Sequence, residues 1–337
     1  MGSQQAVPKV TTAPGASLFA SADRLRRQPF FFALLLLLIT TIVNYVLNPI
    51  FFRPSILSGN LRTYLPLMLL AAGQTLVIIG GGVDLSVGAI VSLSNVVIVR
   101  LLGDGTNIGL LVPAFVIGLL AGLSAGLANG VCVAYLRFQP IVTTFATSFI
   151  FSGLALWIMP TPGGNVPINA VSFYATSPLG IPLTFWVVAF VLLLWWLLRS
   201  TRYGTYLYAV GGSAMAAYVT GVPVTLVRVS TYALSGLMAA AGAGALVLAT
   251  GSGSALIGGP LTLSSIVAVV LGGTRLSGGQ GSVLGSILGV VILGFIRSMI
   301  SFAGVPTWYQ VLVDGLIVMV ALAGPGLAAL LRRRGIR

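Results

Sequence analysis

The chain has 337 residues, 57% of them hydrophobic and only 6% charged, with a mean hydropathy of +1.08. A soluble domain must cover its surface with polar groups, so this balance assigns the chain to a bilayer. With no His, no Glu, one Lys (Lys9), one Cys (Cys132) and four Asp, almost nothing remains from which to build a metal site or an acid–base pair.

A nucleotide-binding P-loop needs a Lys after a Gly-rich turn, and Lys9 sits in Val7-Pro8-Lys9-Val10, so energy from ATP must come from another subunit. The net charge of +13 does not point to nucleic acid, because the arginines are scattered singly between apolar runs and form no basic face. A single Cys allows no internal disulfide. No metal and no cofactor is expected in this chain.

Taken in order, residues 1–29 read as a flexible tail rich in Ser, Thr, Ala, Gln and Pro. Residues 30–331 read as an all-α polytopic membrane domain, and 332–337 as a basic C-terminus. Crossing the hydrocarbon takes about 20 apolar residues, which places ten spans near 30–48, 62–80, 85–102, 109–136, 140–159, 183–198, 229–249, 263–273, 281–302 and 308–331. The eighth is short and bounded by Gly, the pattern of a half-helix. Ten spans put both termini on one side. That side then holds every basic residue except Arg53, Arg62, Arg100 and Arg297, so it is expected to be cytoplasmic.

Two connections stand out. The outer loop 160–182 is rich in Pro and Gly and reads as an ordered extramembrane loop rather than a helix. In the inner loop 199–228, Gly211 and Gly212 are expected to break the chain. Ser213 is expected to cap a short helix from Ala214 through Ala216 and Ala217 to Thr220, and Gly221 and Val222 to end it before Pro223.

There is also an internal echo. Gly81-Gly82-Val83-Asp84-Leu85-Ser86-Val87-Gly88 and Gly272-Gly273-Thr274-Arg275-Leu276-Ser277-Gly278-Gly279 agree at five of eight positions. Transporters often carry helix breaks at matching places in duplicated halves, although a Gly-rich chain also produces such matches by chance.

Asp84 is the only acid in its apolar stretch. It either caps the following helix, satisfying exposed N–H groups, or marks a moving element of a transport path, and the two roles are compatible. On the echo, Arg275 is its counterpart and a charge partner to test. Asp314 and Arg297 either snorkel to an interface, or pair with one another or line a cavity. Gln74, Asn95, Asn129 and Thr143 either join helices or line a path for a hydroxylated solute.

Gly73-Gln74-Thr75-Leu76-Val77-Ile78-Ile79-Gly80-Gly81-Gly82-Val83-Asp84-Leu85-Ser86-Val87-Gly88 closely resembles the signature of sugar ABC importer permeases of the ribose permease type. Arg202-Tyr203-Gly204 leading to Ala209-Val210-Gly211-Gly212, then Ala268-Val269-Val270-Leu271-Gly272-Gly273-Thr274 with Leu276-Ser277-Gly278-Gly279, and Gly304-Val305 before Tyr309-Gln310 follow in that family's order. The resemblance spans about residues 30–331. It implies a bacterial inner-membrane subunit that pairs with a second permease, takes a monosaccharide from a periplasmic sugar-binding protein and is driven by ABC ATPase subunits. It also implies that the helix between Ser213 and Gly221 docks on the ATPase. The chain departs from the family in having Ser213-Ala214 where Asn-Glu is usual, and Arg275 where a small residue is common.

The reading is therefore a permease that imports a pentose or hexose by alternating access and is not an enzyme. The alternatives are the same architecture with a branched amino acid, nucleoside or furanosyl signal as cargo, or an ion-coupled carrier or channel.

Overall fold

The computed structural model describes residues 31–306, together with 309, 312, 313, 315, 316 and 319. The terminal segments, Asp314 and most of the span expected at 308–331 lie outside the described residues. Among the described residues there are twelve α-helices and no strand, only an isolated bridge between Gly163 and Gly253.

The helices are α1 (Phe31–Leu47), α2 (Pro54–Ile79), α3 (Val87–Leu102), α4 (Leu111–Ala134), α5 (Pro140–Ile158), α6 (Ile168–Tyr174), α7 (Leu183–Ser200), α8 (Arg202–Gly212), α9 (Ala214–Val219), α10 (Val224–Thr250), α11 (Gly259–Leu271) and α12 (Val283–Phe302). Nine of these, all but α6, α8 and α9, follow the first nine expected spans. The expected start of α2 comes late by eight residues, because Ser55, Ser58, Asn60 and Arg62 dilute the apolar signal of its first turns. The loop 160–182 also departs from expectation, since it contains the seven-residue helix α6.

Helices α2 and α10 form the centre. Every residue of α2 from Leu65 to Ile79 is buried, as expected of a helix that is apolar on all sides and packed on all sides. Helices α4, α5 and α7 instead turn large side chains outward, among them Phe149, Trp157, Phe190 and Trp196, and form the exposed rim of the bundle.

Close approach between α4 and α10 depends on glycine. A Cβ on Gly236 would strike the Gly122 carbonyl oxygen and lie 2.9 Å from Gly126 Cα, and a Cβ on Gly126 would strike the Tyr232 carbonyl. With no hydrophobic force to separate helix from lipid, such backbone contact supplies the dispersion attraction that holds the bundle together.

The connections gather at two ends. At one, Gly163 and Gly253 exchange backbone hydrogen bonds, and the space where a Cβ on Gly105 would sit is filled by Asn165. At the other lie 80–86, 135–144, the α8–α9 unit and 272–282, joined by contacts described below.

The α4–α10 contact gives a direct test. Gly236→Ala overpacks a backbone-to-backbone crossing and should destabilise the protein by about 1–3 kcal/mol, read as a lowered thermal unfolding midpoint in detergent. Gly153→Ala on α5, where an added Cβ meets nothing, should leave the midpoint in place.

Candidate functional site

Helix α2 ends on Gly80. The N–H of Gly81 donates to the Ile78 carbonyl and that of Gly82 to the Val77 carbonyl, with Gly81 at φ +84. Helix α11 ends in the same way on Gly272: Gly273, also at φ +84, donates to Val270, and Thr274 donates to Val269. Both are Schellman turns, and a left-handed residue at that point favours Gly.

The echo is thus real in geometry but displaced by one residue, since Gly80 and Gly81 superpose in role on Gly272 and Gly273. Asp84 therefore has no counterpart in Arg275. Arg275 is exposed while Asp84 is fully buried, and the Asp84 carboxylate is held by hydroxyls and a backbone amide.

Asp84 Oδ1 accepts from the Ser86 N–H at 2.9 Å and the Ser86 hydroxyl at 2.6 Å, and Oδ2 accepts from the Ser235 hydroxyl at 3.3 Å. Its bonds go to Ser86, the residue at the N-cap of α3, rather than to the first-turn N–H groups. The expected capping role is corrected to a turn that shapes the entry to α3.

From Ser86 the network continues outward. Asn129 Nδ2 donates to the Ser86 hydroxyl at 2.7 Å, and Asn129 Oδ1 accepts from the Thr147 hydroxyl at 2.7 Å. The Thr144 hydroxyl oxygen accepts from the Leu85 N–H at 3.0 Å. The loop 80–86 is thereby tied to α4, α5 and α10 at once. Tyr232 fills the remaining space, its hydroxyl lying 2.5 Å from where a Cβ on Gly82 would be.

A second non-helical stretch, 251–258, runs from Gly253 down the side of α3. Asn95 Oδ1 accepts from the Ser254 N–H at 2.8 Å and the Ser92 hydroxyl oxygen from the Gly258 N–H at 3.0 Å, while Thr262 Oγ1 accepts from the Gly88 N–H at 3.1 Å. At 13 residues, α11 is about 20 Å long, shorter than the hydrocarbon core. The expected half-helix is present, and side chains of α3 complete the backbone that leads into it.

Of the four polar residues considered for a path, Asn129 is thus committed to bonds between segments, Asn95 commits its Oδ1 while its Nδ2 has no protein partner among the described residues, and the Thr143 hydroxyl donates to the carbonyl of Gln139, the residue just before its helix. Gln74 is fully buried on α2, and its amide has no protein partner among the described residues. Arg297 donates to the Ser264 hydroxyl at 2.6 Å, and the expectation that it pairs with Asp314 falls outside the described residues. Ser86 was expected as part of the signature motif, whereas Thr144, Thr147, Ser235 and Tyr232 were not anticipated. The i, i+3 spacing of Thr144 and Thr147 on an apolar helix is the signal that could have found two of them.

On the α8–α9 unit, Gly211 and Gly212 do not break the chain but form the last turn of α8, and the break falls at Ser213. Ser213 Oγ accepts from the Ala216 N–H at 3.3 Å, as expected, and Gly221 and Val222 close α9 by donating to Tyr218 and Ala217. Ala217 is buried, while Met215, Tyr218 and Val219 are 74%, 71% and 77% exposed. Apolar side chains at i, i+3 and i+4 on one face are a docking pattern. At the other end of the bundle, a cleft of about 640 Å³ lies between Arg100 and the stretch Met159, Pro160, Thr161, Pro162. Nearby, the Thr106 N–H and then its hydroxyl hold the exposed Asp104 carboxyl below its usual range.

Buried helices broken at glycine turns, a polar network tying one break to three neighbours, and an exposed apolar helix at one end define a membrane transport subunit. Comparison with known proteins carries the assignment further. The family described as branched-chain amino acid transport system, permease component, matches residues 56–322, and the chain belongs to it. The chain is 36% identical over 289 residues to the ribose import permease protein RbsC of Bacillus subtilis, covering 84% of this chain and 88% of that protein. It is 32% identical over 284 residues to RbsC of Escherichia coli K12, covering 82% and 87%. It is also 32% identical over 310 residues to the autoinducer 2 import system permease protein LsrD of Salmonella paratyphi A, covering 89% and 92%. No solved structure matches the chain. The chain is an ABC importer permease, a transport component rather than an enzyme.

The network predicts an ordering of variants at Asp84. Asp84→Ala strands two buried serines and should cost about 2–4 kcal/mol, whereas Asp84→Asn keeps an acceptor and should cost less. Thermal unfolding of the detergent-solubilised permease checks the order, and equal losses would contradict the bonding described.

Proposed function

We propose that this permease imports a monosaccharide of the pentose class, pairing with a second permease subunit so that a path between the two opens alternately to either face. A sugar-binding protein delivers the solute at the face bearing the Arg100 cleft and loop 160–182, and ATPase subunits dock at the face bearing α9. The α9 end is read as cytoplasmic, with both termini on that side of the inner membrane, because Arg137, Arg199, Arg202, Arg228 and Arg275 cluster there. Residues 30–331 then form the permease domain between two cytoplasmic tails. The observation that carries the reading is the exposed apolar face of α9, on a chain that has no P-loop and that is similar over most of its length to ribose import permeases.

The side chains assigned to the ATPase contact are Met215, Tyr218 and Val219. The buried Ala217 holds α9 against the bundle, so a large substitution there would report on folding rather than docking. A second cargo, a furanosyl signal, is favoured by the comparable similarity to the autoinducer 2 permease.

Proteoliposomes holding the permease with its ATPase and binding protein should take up labelled D-ribose only with ATP. Autoinducer 2 in place of ribose tests the second cargo, and uptake without the ATPase would establish an ion-coupled carrier or channel instead. Val219→Asp places a carboxylate in the docking face and should weaken ATPase association by at least about tenfold, ~1.4 kcal/mol. An unchanged affinity would move the docking site elsewhere.

A further inference from the structure

Three glycine-rich segments, distant in sequence, meet backbone to backbone at the α9 end of the bundle. The Gly279 N–H donates to the Ile79 carbonyl in the last turn of α2 at 2.9 Å. A Cβ on Gly211, in the last turn of α8, would fall on that same Ile79 oxygen and lie 2.6 Å from the Gly279 nitrogen. A Cβ on Gly278 would lie 2.8 Å from the Gly211 carbonyl oxygen and 3.0 Å from Gly81 Cα, and one on Gly279 would lie 2.8 Å from Gly212 Cα. One side chain reinforces the contact: the Tyr208 hydroxyl on α8 donates to the Gly281 carbonyl at 2.7 Å.

The segments that meet are the Schellman end of α2, the far side of the loop that follows the Schellman end of α11, and the helix that leads directly into α9. Loop 272–282 is itself closed, since Arg275 N–H donates to Gln280, Gly278 N–H to Arg275 and Ser282 N–H to Thr274. It can therefore move as one body. No side chain is interposed that could absorb a displacement by changing rotamer, and packed backbone transmits strain. Above the α2 end sits the loop 80–86 with the Asp84 network, which reaches α4, α5 and α10.

We infer that this glycine joint carries displacement of the α8–α9 unit into the breaks of α2 and α11, and that Gly211, Gly278, Gly279 and Tyr208 act as positioning residues for coupling ATP hydrolysis to solute movement. The inference rests on the proposed function, in that an ATPase must displace α9 for the joint to have work to transmit.

The test uses the full transporter in proteoliposomes and reads ATP hydrolysis and D-ribose uptake side by side, so that the ratio of ATP hydrolysed to sugar imported is measured. Tyr208→Phe removes one hydrogen bond without adding volume and should raise that ratio by about threefold to tenfold. Gly211→Ala wedges the joint and should abolish most uptake while hydrolysis persists. Gly153→Ala, remote on α5, serves as the control.

If uptake and hydrolysis fall together in proportion to folded protein, or if both joint variants keep the parent's ratio, the joint has a packing role only and the inference is overturned. Should Gly211→Ala fail to accumulate, the ratio for Tyr208→Phe decides. Uptake by the parent without ATPase would overturn the proposed function itself, a result distinct from a parent that couples and variants that couple equally well.

Discussion

In hydrocarbon, a backbone N–H or carbonyl without a partner costs several kcal/mol, so a chain at membrane depth is either helical or has its bonds supplied from elsewhere. Among the described residues, three of the non-helical stretches, 80–86, 251–258 and 272–282, are each closed by a specific device. Glycine turns fold the ends of α2 and α11 back on their own carbonyls. Asp84, Thr144, Asn95 and Ser92 accept the N–H groups that the turns leave over. The polar residues within the spans are therefore accounted for chiefly by the backbone they complete.

That accounting explains why the fold was more legible than the site. Apolar run length depends on bilayer thickness alone, so the first nine expected spans agree with the helices to within a few residues, except at the N-terminal ends of α2 and α10. There Ser, Asn, Arg and Thr interrupt the apolar pattern while the backbone continues helical. The cap at Ser213 and the half-helix α11 were legible because Ser before a short run and Gly at both ends of another have local causes. The partner of Asp84 was not, because Ser235 lies 151 residues away and an isolated Ser in an apolar helix has the same local appearance whether or not it bonds a carboxylate. Pairing Asp84 with Arg275 failed for a related reason. The echo in letters is offset by one from the echo in hydrogen bonds, and only the carbonyl acceptors reveal the offset.

Glycine does two different jobs here that composition cannot separate. At Gly81 and Gly273 it supplies a backbone conformation, whereas at Gly236, Gly126 and Gly211 it supplies an absence of volume. The second job makes the interior stiff: where backbone meets backbone, no side chain is left to relax. The centre is therefore packed backbone against backbone, while large side chains such as Phe149, Trp157, Phe190 and Trp196 stand on the exposed rim.

The stretch 251–258 also bears on how α11 is held in place. Helix α11 is too short to be taken up as a span in its own right, and the N–H groups just before it find their acceptors on α3, synthesised some 160 residues earlier. The seating of α11 therefore depends on α3: a helix from the earlier half supplies the acceptors that the backbone leading into α11 needs.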